Sequence, residues 1–456
     1  MGCAEAKTVN SGMWNSFRFG GRPLLIVLLT LAAQAEPLSL RQAGQSALQQ
    51  HPTGREAFAR VQADRARFGQ SQAPFYPTLT AGVDYLTNDQ REDNEVTYEQ
   101  STGLNLVASQ LLGDFGKRRN SSKRAELSYQ ATEQADLAVR QTLLDSVAKA
   151  YFGLLSAAQS VFIQKEALRL AKLRRADAQV AFEKGTRPLD DLSLAEADMS
   201  NILVDLIEAQ TAERNARVRL GTAMGQSEPF RGSLLTCSMP YREWEERSAL
   251  RTATDSRPDL ADARLRTEAA EKGIRLAEAG YRPDLYVTAG YGYLDKGFVP
   301  QDYLWEVRLN LSFPLLNEPF LSQTVALAEA ETEQAKARED GRVNEVAGEV
   351  QTALVNLDAS YSQTRAAHRA TLKAYKNLTL TWTTYRLGGG SARDVSNSQR
   401  DLTQALVSQN QIFTEYQLAL VEMHRATGQL SLDVFPAGVG DERNLFWPFF
   451  DQEIHE

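Results

Sequence analysis

Residues 303–313 read Tyr-Leu-Trp-Glu-Val-Arg-Leu-Asn-Leu-Ser-Phe, and from Trp305 onward apolar and polar side chains alternate at every step. Side chains on a strand point to opposite faces in turn. Trp305, Val307, Leu309, Leu311 and Phe313 therefore fall on one side, with Glu306, Arg308, Asn310 and Ser312 on the other. The pattern recurs in Leu285, Val287, Ala289, Tyr291 and Tyr293 against Thr288, Gly290 and Gly292, and in Leu79, Ala81, Val83 and Tyr85 against Thr80, Gly82 and Asp84. Strands are predicted over 78–88, 100–112, 285–295 and 303–315. Runs of this length suit a tilted crossing of a bilayer's hydrocarbon layer, and apolar-out, polar-in alternation is the mark of a transmembrane β-barrel. An antiparallel sheet packed over a soluble core alternates in the same way.

The rest of the chain separates these two readings, because it is written twice. A shift of 203 positions aligns Phe182-Glu183-Lys184-Gly185 with Tyr385-Arg386-Leu387-Gly388, Asp191-Leu192 with Asp394-Val395, and Ala223-Met224-Gly225-Gln226 with Ala426-Thr427-Gly428-Gln429. Upstream the shift grows to 206, which relates Pro52 and Pro77 to Pro258 and Pro283. Each half reads as a helix (38–73, 249–280), two strands, a very long helix (117–184, 320–387), a tight turn and a shorter helix (190–224, 392–427). The predicted division is a leader at 1–35, a first repeat at 36–226, a linker at 227–248, a second repeat at 249–429 and a tail at 430–456, which holds Trp447, Pro448 and Phe449.

The long helices carry seams stepping alternately by three and four, such as Leu144, Val147, Tyr151, Leu154, Ala158 and Val161, and Val343, Val346, Val350, Ala353 and Leu357. That is the narrow stripe of a coiled coil. A helix of about 68 residues rises roughly 100 Å, beyond the reach of a globular core. Four strands cannot close a barrel, and an open edge in lipid would strand its backbone N–H and C=O groups. Several chains must then share one barrel. Three would supply twelve strands, enough for an open lumen. The fold class expected is mixed α and transmembrane β, with four barrel strands per chain above a helical barrel.

Arg18 and Arg22, the apolar run Leu24–Ala33 and the small-residue site Ala33-Gln34-Ala35 form a secretory leader, with Met13 as a candidate start. Removing it moves the formal charge from −8 to −10, and no long basic run argues for nucleic acid. Only Cys237 then remains, so no internal disulfide is expected. No later stretch reads as a membrane-spanning helix. His51, His368, His424 and His455 are too scattered for a metal site, Gly113-Asp114-Phe115-Gly116-Lys117 lacks the spacing of a phosphate loop, and no nucleophile-elbow motif occurs. Neither an enzyme nor a cofactor is expected. Gly388-Gly389-Gly390-Ser391 reads as a helix stop followed by an N-cap at Ser391. A periplasmic coiled-coil adaptor is the competing class, but it explains neither the second hairpin nor the paired strands before each.

Leu38-Ser39-Leu40-Arg41-Gln42-Ala43 followed by His51-Pro52, together with Tyr76-Pro77-Thr78-Leu79, Tyr281-Arg282-Pro283-Asp284-Leu285 and the two hairpin turns, resembles the TolC family of outer-membrane efflux and secretion channels over 36–430. The resemblance implies a homotrimer in the outer membrane of a Gram-negative bacterium, with most of its mass in the periplasm. It also implies docking to an inner-membrane transporter of the RND or ABC kind through a periplasmic adaptor. It places a closed entrance at Tyr385 and Asp394, with Gly390 where the family has an arginine, Arg393 nearby, and Asn397 where it has a second aspartate. Arg187 and Asp191 are the matching residues of the first hairpin, and a gate with fewer ionic contacts and weaker cation preference is expected. The turns Gly185-Thr186 and Gly388-Gly389 are the expected points of contact with the adaptor.

Overall fold

The computed structural model describes residues 37–436 except 93, 94, 240, 242, 297 and 298. The expected leader and the Trp447-Pro448-Phe449 segment lie outside the described residues. The elements run α1 (Leu40–Gln50), α2 (Pro52–Gln72), β1 (Thr78–Glu92), β2 (Glu95–Gly113), α3 (Lys117–Glu183), α4 (Leu189–Ala223), α5 (Glu246–Ser256), α6 (Pro258–Ala279), β3 (Asp284–Lys296), β4 (Val299–Ser312), α7 (Glu318–Arg386) and α8 (Ala392–Ala426). The order of the first six elements recurs in the last six.

Two expected helices are each broken in the middle. The stretch 38–73 divides at His51, and 249–280 divides at Arg257. A proline ring forces the residue before it into extended backbone, and these two residues have ψ of 131° and 121°. Pro52 and Pro258 then open the following helices at the position where no N–H is needed. β4 stops at Ser312 instead of 315, just ahead of Phe313-Pro314.

The four strands form one antiparallel meander in the order β1-β2-β3-β4, which leaves β1 and β4 as edges. Cross-strand register sets Val83 beside Leu104, Ala81 beside Leu106, Leu106 beside Tyr291, and Tyr291 beside Trp305. Leu285 and Val287 sit beside Leu311 and Leu309. Period-two alternation then puts all of these on one face, and Thr80, Asp84, Asn105, Thr288, Gly290, Glu306, Arg308 and Asn310 on the other.

α3 and α7, of 67 and 69 residues, pack along α4 and α8 and extend roughly 100 Å at 1.5 Å per residue. The seams are buried as expected at Leu144, Val147, Tyr151, Leu154, Val350 and Leu357, whereas Ala158 and Val343 are exposed. One 18-residue window of α3 has mean hydropathy 1.2 and is long and apolar enough to cross a membrane. That corrects the expectation that no such stretch follows the leader. Of that window 39% is buried, where α3 packs in the core with α1, α4 and α8, while Leu137, Phe162, Leu170 and Leu173 of α3 are exposed.

The main core lies where the middles of α3 and α7 meet α1, α5 and the C-terminal ends of α4 and α8. Leu40 and Ala47 meet Val147, Tyr151, Leu220, Val350, Leu420 and Met423 there. Cys237, Met239, Leu430 and Phe435 join them, so parts of the linker and of the tail are core. The linker is stitched to Leu38 by a parallel bridge at Leu234, and the Tyr151 hydroxyl donates to the Leu38 carbonyl at 2.8 Å and to that of Leu235. Burial pushes the Cys237 thiol up to about 12, which makes it a packing group and not a nucleophile.

Charge ties the middle of α7 to the C-terminal end of α8. Arg257, with a side chain 4% exposed, donates to Asp259 at 2.6 Å, to Glu349 at 2.6 Å and to the Ala426 carbonyl at 3.2 Å. Arg342 donates to Asp259 as well. Burial works against the Asp259 carboxylate, but the guanidinium groups of Arg257 and Arg342 outweigh it and hold the carboxyl at about 2.

Helices α4 and α8 both end at glycines in the left-handed region, Gly225 at φ +79° and Gly428 at φ +73°. A Cβ on Gly428 would lie 2.9 Å from backbone atoms of Ser256, whereas one on Gly388, at φ +86°, would meet nothing within 4 Å. Gly388→Ala should therefore cost only the left-handed penalty, about 1 kcal/mol, and Gly428→Ala clearly more. Thermal unfolding of the two variants checks the ranking; equal losses would contradict it.

Candidate functional site

Two surfaces carry the residues singled out by the sequence, and the first is the sheet. Leu79, Val83, Tyr85, Leu104, Leu106, Trp305, Val307, Leu309, Leu311 and Phe313 are all exposed, with Leu285 and Val287 half-buried and Tyr291 exposed. The Tyr293 side chain lies outside the described residues. Contiguous apolar surface of this extent is foreign to a soluble monomer. On the opposite face Asn105 donates to Asp84 at 2.6 Å and Arg308 to Glu306 at 2.9 Å, in a field of glycines and small polar residues.

The second surface is formed by the ends of the two helical hairpins. α3 closes with Gly185 at φ +72°, the Thr186 N–H reaching back to the Ala181 carbonyl at 2.9 Å. α7 closes the same way, with Gly388 and a 3.1 Å bond from the Gly389 N–H to the Thr384 carbonyl. This motif satisfies the last carbonyls of a helix, and it needs a residue in the left-handed region. Thr186, Gly185, Gly388 and Gly389 are exposed at the tips.

Three of the expected entrance residues are brought together. The Arg187 guanidinium lies 4.5 Å from the centre of the Tyr385 ring, donates to the Tyr385 carbonyl at 3.4 Å, and is 3.9 Å from Asp191. The first hairpin is thereby fastened to the second within one chain. Burial raises the Tyr385 phenol above its ordinary range; Arg187 pulls against that, while Asp191 and Asp177 reinforce it. Asp394 is placed differently. Its carboxylate accepts from the Ser391 hydroxyl at 2.7 Å while its own N–H donates to that oxygen at 3.1 Å, so Ser391 and Asp394 form a reciprocal cap on α8. Asp394 and Asn397 are both exposed.

Sequence reasoning missed the residues behind this cluster. Asp198 is buried, accepts from the Ser396 hydroxyl, and lies 3.3 Å from Arg400 and 3.6 Å from Arg174. Burial lowers the Arg174 pKa, with Asp198 favouring the charged form. A cavity of about 260 Å³ opens between the tips, lined by Arg174, Asp198, Arg187, Trp382 and Tyr385. A signal existed: Asp198 lies one heptad beyond Asp191, and Ala167, Ala171, Arg174 and Ala178 step by four, three and four.

Among the described residues no cluster of His, Cys, Asp or Glu has the arrangement of a metal site. A surface that faces oil on one side and water on the other, above helical hairpins closed at their tips, suits a duct. The chain is 25% identical over 364 residues to the cation efflux system protein CusC of Escherichia coli, covering 76% of each chain. It is 25% identical over 375 residues to the outer membrane protein TolC of Vibrio cholerae, covering 79% of this chain and 84% of the relative. Its fold matches a crystal structure of CusC with a TM-score of 0.77 at 21% identity, over 86% of this chain and 92% of that one. It also matches the open-state MtrE outer membrane channel of Neisseria gonorrhoeae, with a TM-score of 0.75 at 20% identity, over 87% and 91%. The family model for outer membrane efflux proteins covers residues 43–226 and 249–429, and the chain belongs to that family.

Proposed function

We propose that three copies of this chain share one twelve-stranded barrel in the outer membrane. Beneath it they form a periplasmic helical duct that receives substrates from an inner-membrane transporter of the RND or ABC kind and its periplasmic adaptor. The observation that carries this reading is the sheet itself: an exposed apolar face, a polar face behind it, and two edges, β1 and β4, to which nothing among the described residues is paired. In lipid those edges demand partners, and identical chains supply them. Trp305, Val307, Leu309, Leu311, Phe313, Leu285, Val287 and Tyr291 then face lipid, and Thr288, Glu306, Arg308 and Asn310 line the lumen. Each repeat, 36–226 and 249–429, contributes one hairpin to the duct wall, with 227–248 in the belt between them. We assign no catalytic step and no cofactor to the chain.

The hairpin tips are farthest from the barrel, so the turns Gly185-Thr186 and Gly388-Gly389 are the surfaces assigned to the adaptor. The entrance is assigned to Tyr385, Arg187, Asp191, Asp394 and Asn397. Copies of Asp394 from three chains would ring the opening, and carboxylate rings favour cations and hold multivalent ones. Planar-bilayer recordings of Asp394→Ala should show lower cation selectivity and weaker block by divalent cations added on the periplasmic side. Unchanged selectivity and block in an assembled channel would confine Asp394 to its capping bond with Ser391.

A further inference from the structure

The two repeats differ sharply where strand passes into helix, and the difference is matched on both sides of the junction. Within the chain, the junction from β2 into α3 meets the junction from α6 into β3 through charge. Lys117 lies 2.8 Å from Asp284 and donates to the Arg282 carbonyl at 2.9 Å, while Arg282 donates to the Phe115 carbonyl at 3.2 Å. Counted back from the hairpin turns, the offset of 203 carries Lys117 onto Phe320, while counted from the helix start it falls on Glu318; the offset of 206 carries Arg282 onto Tyr76 and Asp284 onto Thr78. At the junctions from β4 into α7 and from α2 into β1 the lysine–aspartate pair is thus absent, and Glu318, the charged residue that opens α7, accepts from Tyr281 of its own chain at 3.5 Å. What stands there is apolar and uncovered: Leu316 is 99% exposed, Phe320 66% and Tyr76 68%, with Leu315 and Phe75 exposed beside them. Arg118 sits 5.0 Å from the Phe75 ring and fixes it in place.

We infer that these two patches close on each other between neighbouring copies, Leu316 and Phe320 of one chain seating on Phe75 and Tyr76 of the next. The inference rests on the shared-barrel reading. Closing the barrel sets β4 of one chain against β1 of the next, as β2 lies against β3 within the chain, and the intrachain junction is the template for the interchain one. An ion pair open to water is weakly held, whereas apolar side chains between copies are stable only when the partner covers them. The contact is a clasp at the foot of the barrel that forms only on assembly. Leu315 and Leu316, exposed in the single chain, are covered by the neighbouring copy in the assembly.

The test is a pair of cysteines, Tyr76→Cys with Leu316→Cys, oxidised in isolated outer membranes and run without reductant. Within one chain the two positions lie at opposite edges of a four-stranded sheet, about 14 Å apart at roughly 4.8 Å per strand, beyond the Cα reach of a disulfide. Any bond must therefore join two chains. Linked dimers and trimers are expected, at least about tenfold more abundant than in either single variant. Phe75→Cys with Phe320→Cys is a second, independent pair. If neither pair links chains in protein that native mass spectrometry shows to be trimeric, the clasp is wrong and these side chains meet lipid or water. If the protein is a folded monomer, the shared barrel falls and the clasp with it.

Discussion

Leu309→Arg should abolish recovery of the protein from the outer membrane, while Asn310→Arg, one residue along the same strand, should leave it assembled. Leu309 is exposed on the apolar face beside Val287, and Asn310 is on the polar face beside Tyr286. An arginine at the lipid face of a barrel costs roughly 2 to 4 kcal/mol near the midplane, and an assembly of three copies incurs it three times. The sum rivals the whole net stability of an ordinary domain, about 5 to 15 kcal/mol. An arginine in a water-filled lumen keeps its hydration and incurs no such cost. Alkaline washing of membranes followed by immunoblotting reads the outcome. Equal recovery of both variants would mean that the alternation does not separate lipid from water.

A second large effect is expected at Arg257, which is where α6 begins and where the middle of α7 and the end of α8 are gathered. Arg257→Ala leaves Glu349 and Asp259 with fewer partners and the Ala426 carbonyl without its 3.2 Å donor. Removing one member of a buried ion pair costs about 3 to 5 kcal/mol. The detergent-solubilised variant should lose on the order of 5 to 10 °C in Tm. Arg425→Ala, at a side chain 28% exposed in the same network, should lose far less. The acid response follows from Asp259. Its folded carboxyl stands at about 2, below the unfolded value of about 3.9, so its contribution is complete above about pH 4. It is lost as pH falls towards 2, at roughly 2 kcal/mol. Asp259→Asn should be less stable at neutral pH and should show a flatter loss between pH 4 and pH 2. Parallel acid curves for the two proteins would remove Asp259 from the account.

The strands and long helices were legible because each rests on a local period: Trp305 to Phe313 alternates, and Leu144 to Val161 steps by three and four. The open edges were legible because four strands are too few to close. The breaks at His51 and Arg257 carried a written signal, a proline next in sequence, that was used to align the repeats and not to end a helix. The Ser391 cap was readable from the glycines before it, but its return bond from Asp394 depends on the geometry of the first turn. Heptad spacing set Asp198 and Arg174 on helix seams, but their pairing with each other and with Ser396 and Arg400 depends on which faces of two hairpins meet. The same holds for Leu430 and Phe435, whose burial comes from the core that Leu40, Leu144 and Tyr151 build elsewhere in the chain.

The most direct test of the shared barrel is the mass of the assembly. Protein extracted from the outer membrane in a mild detergent and weighed by native mass spectrometry should carry three copies of the processed chain, with no folded monomer beside them. A stable folded monomer whose β1 and β4 edges need no partner would contradict the account.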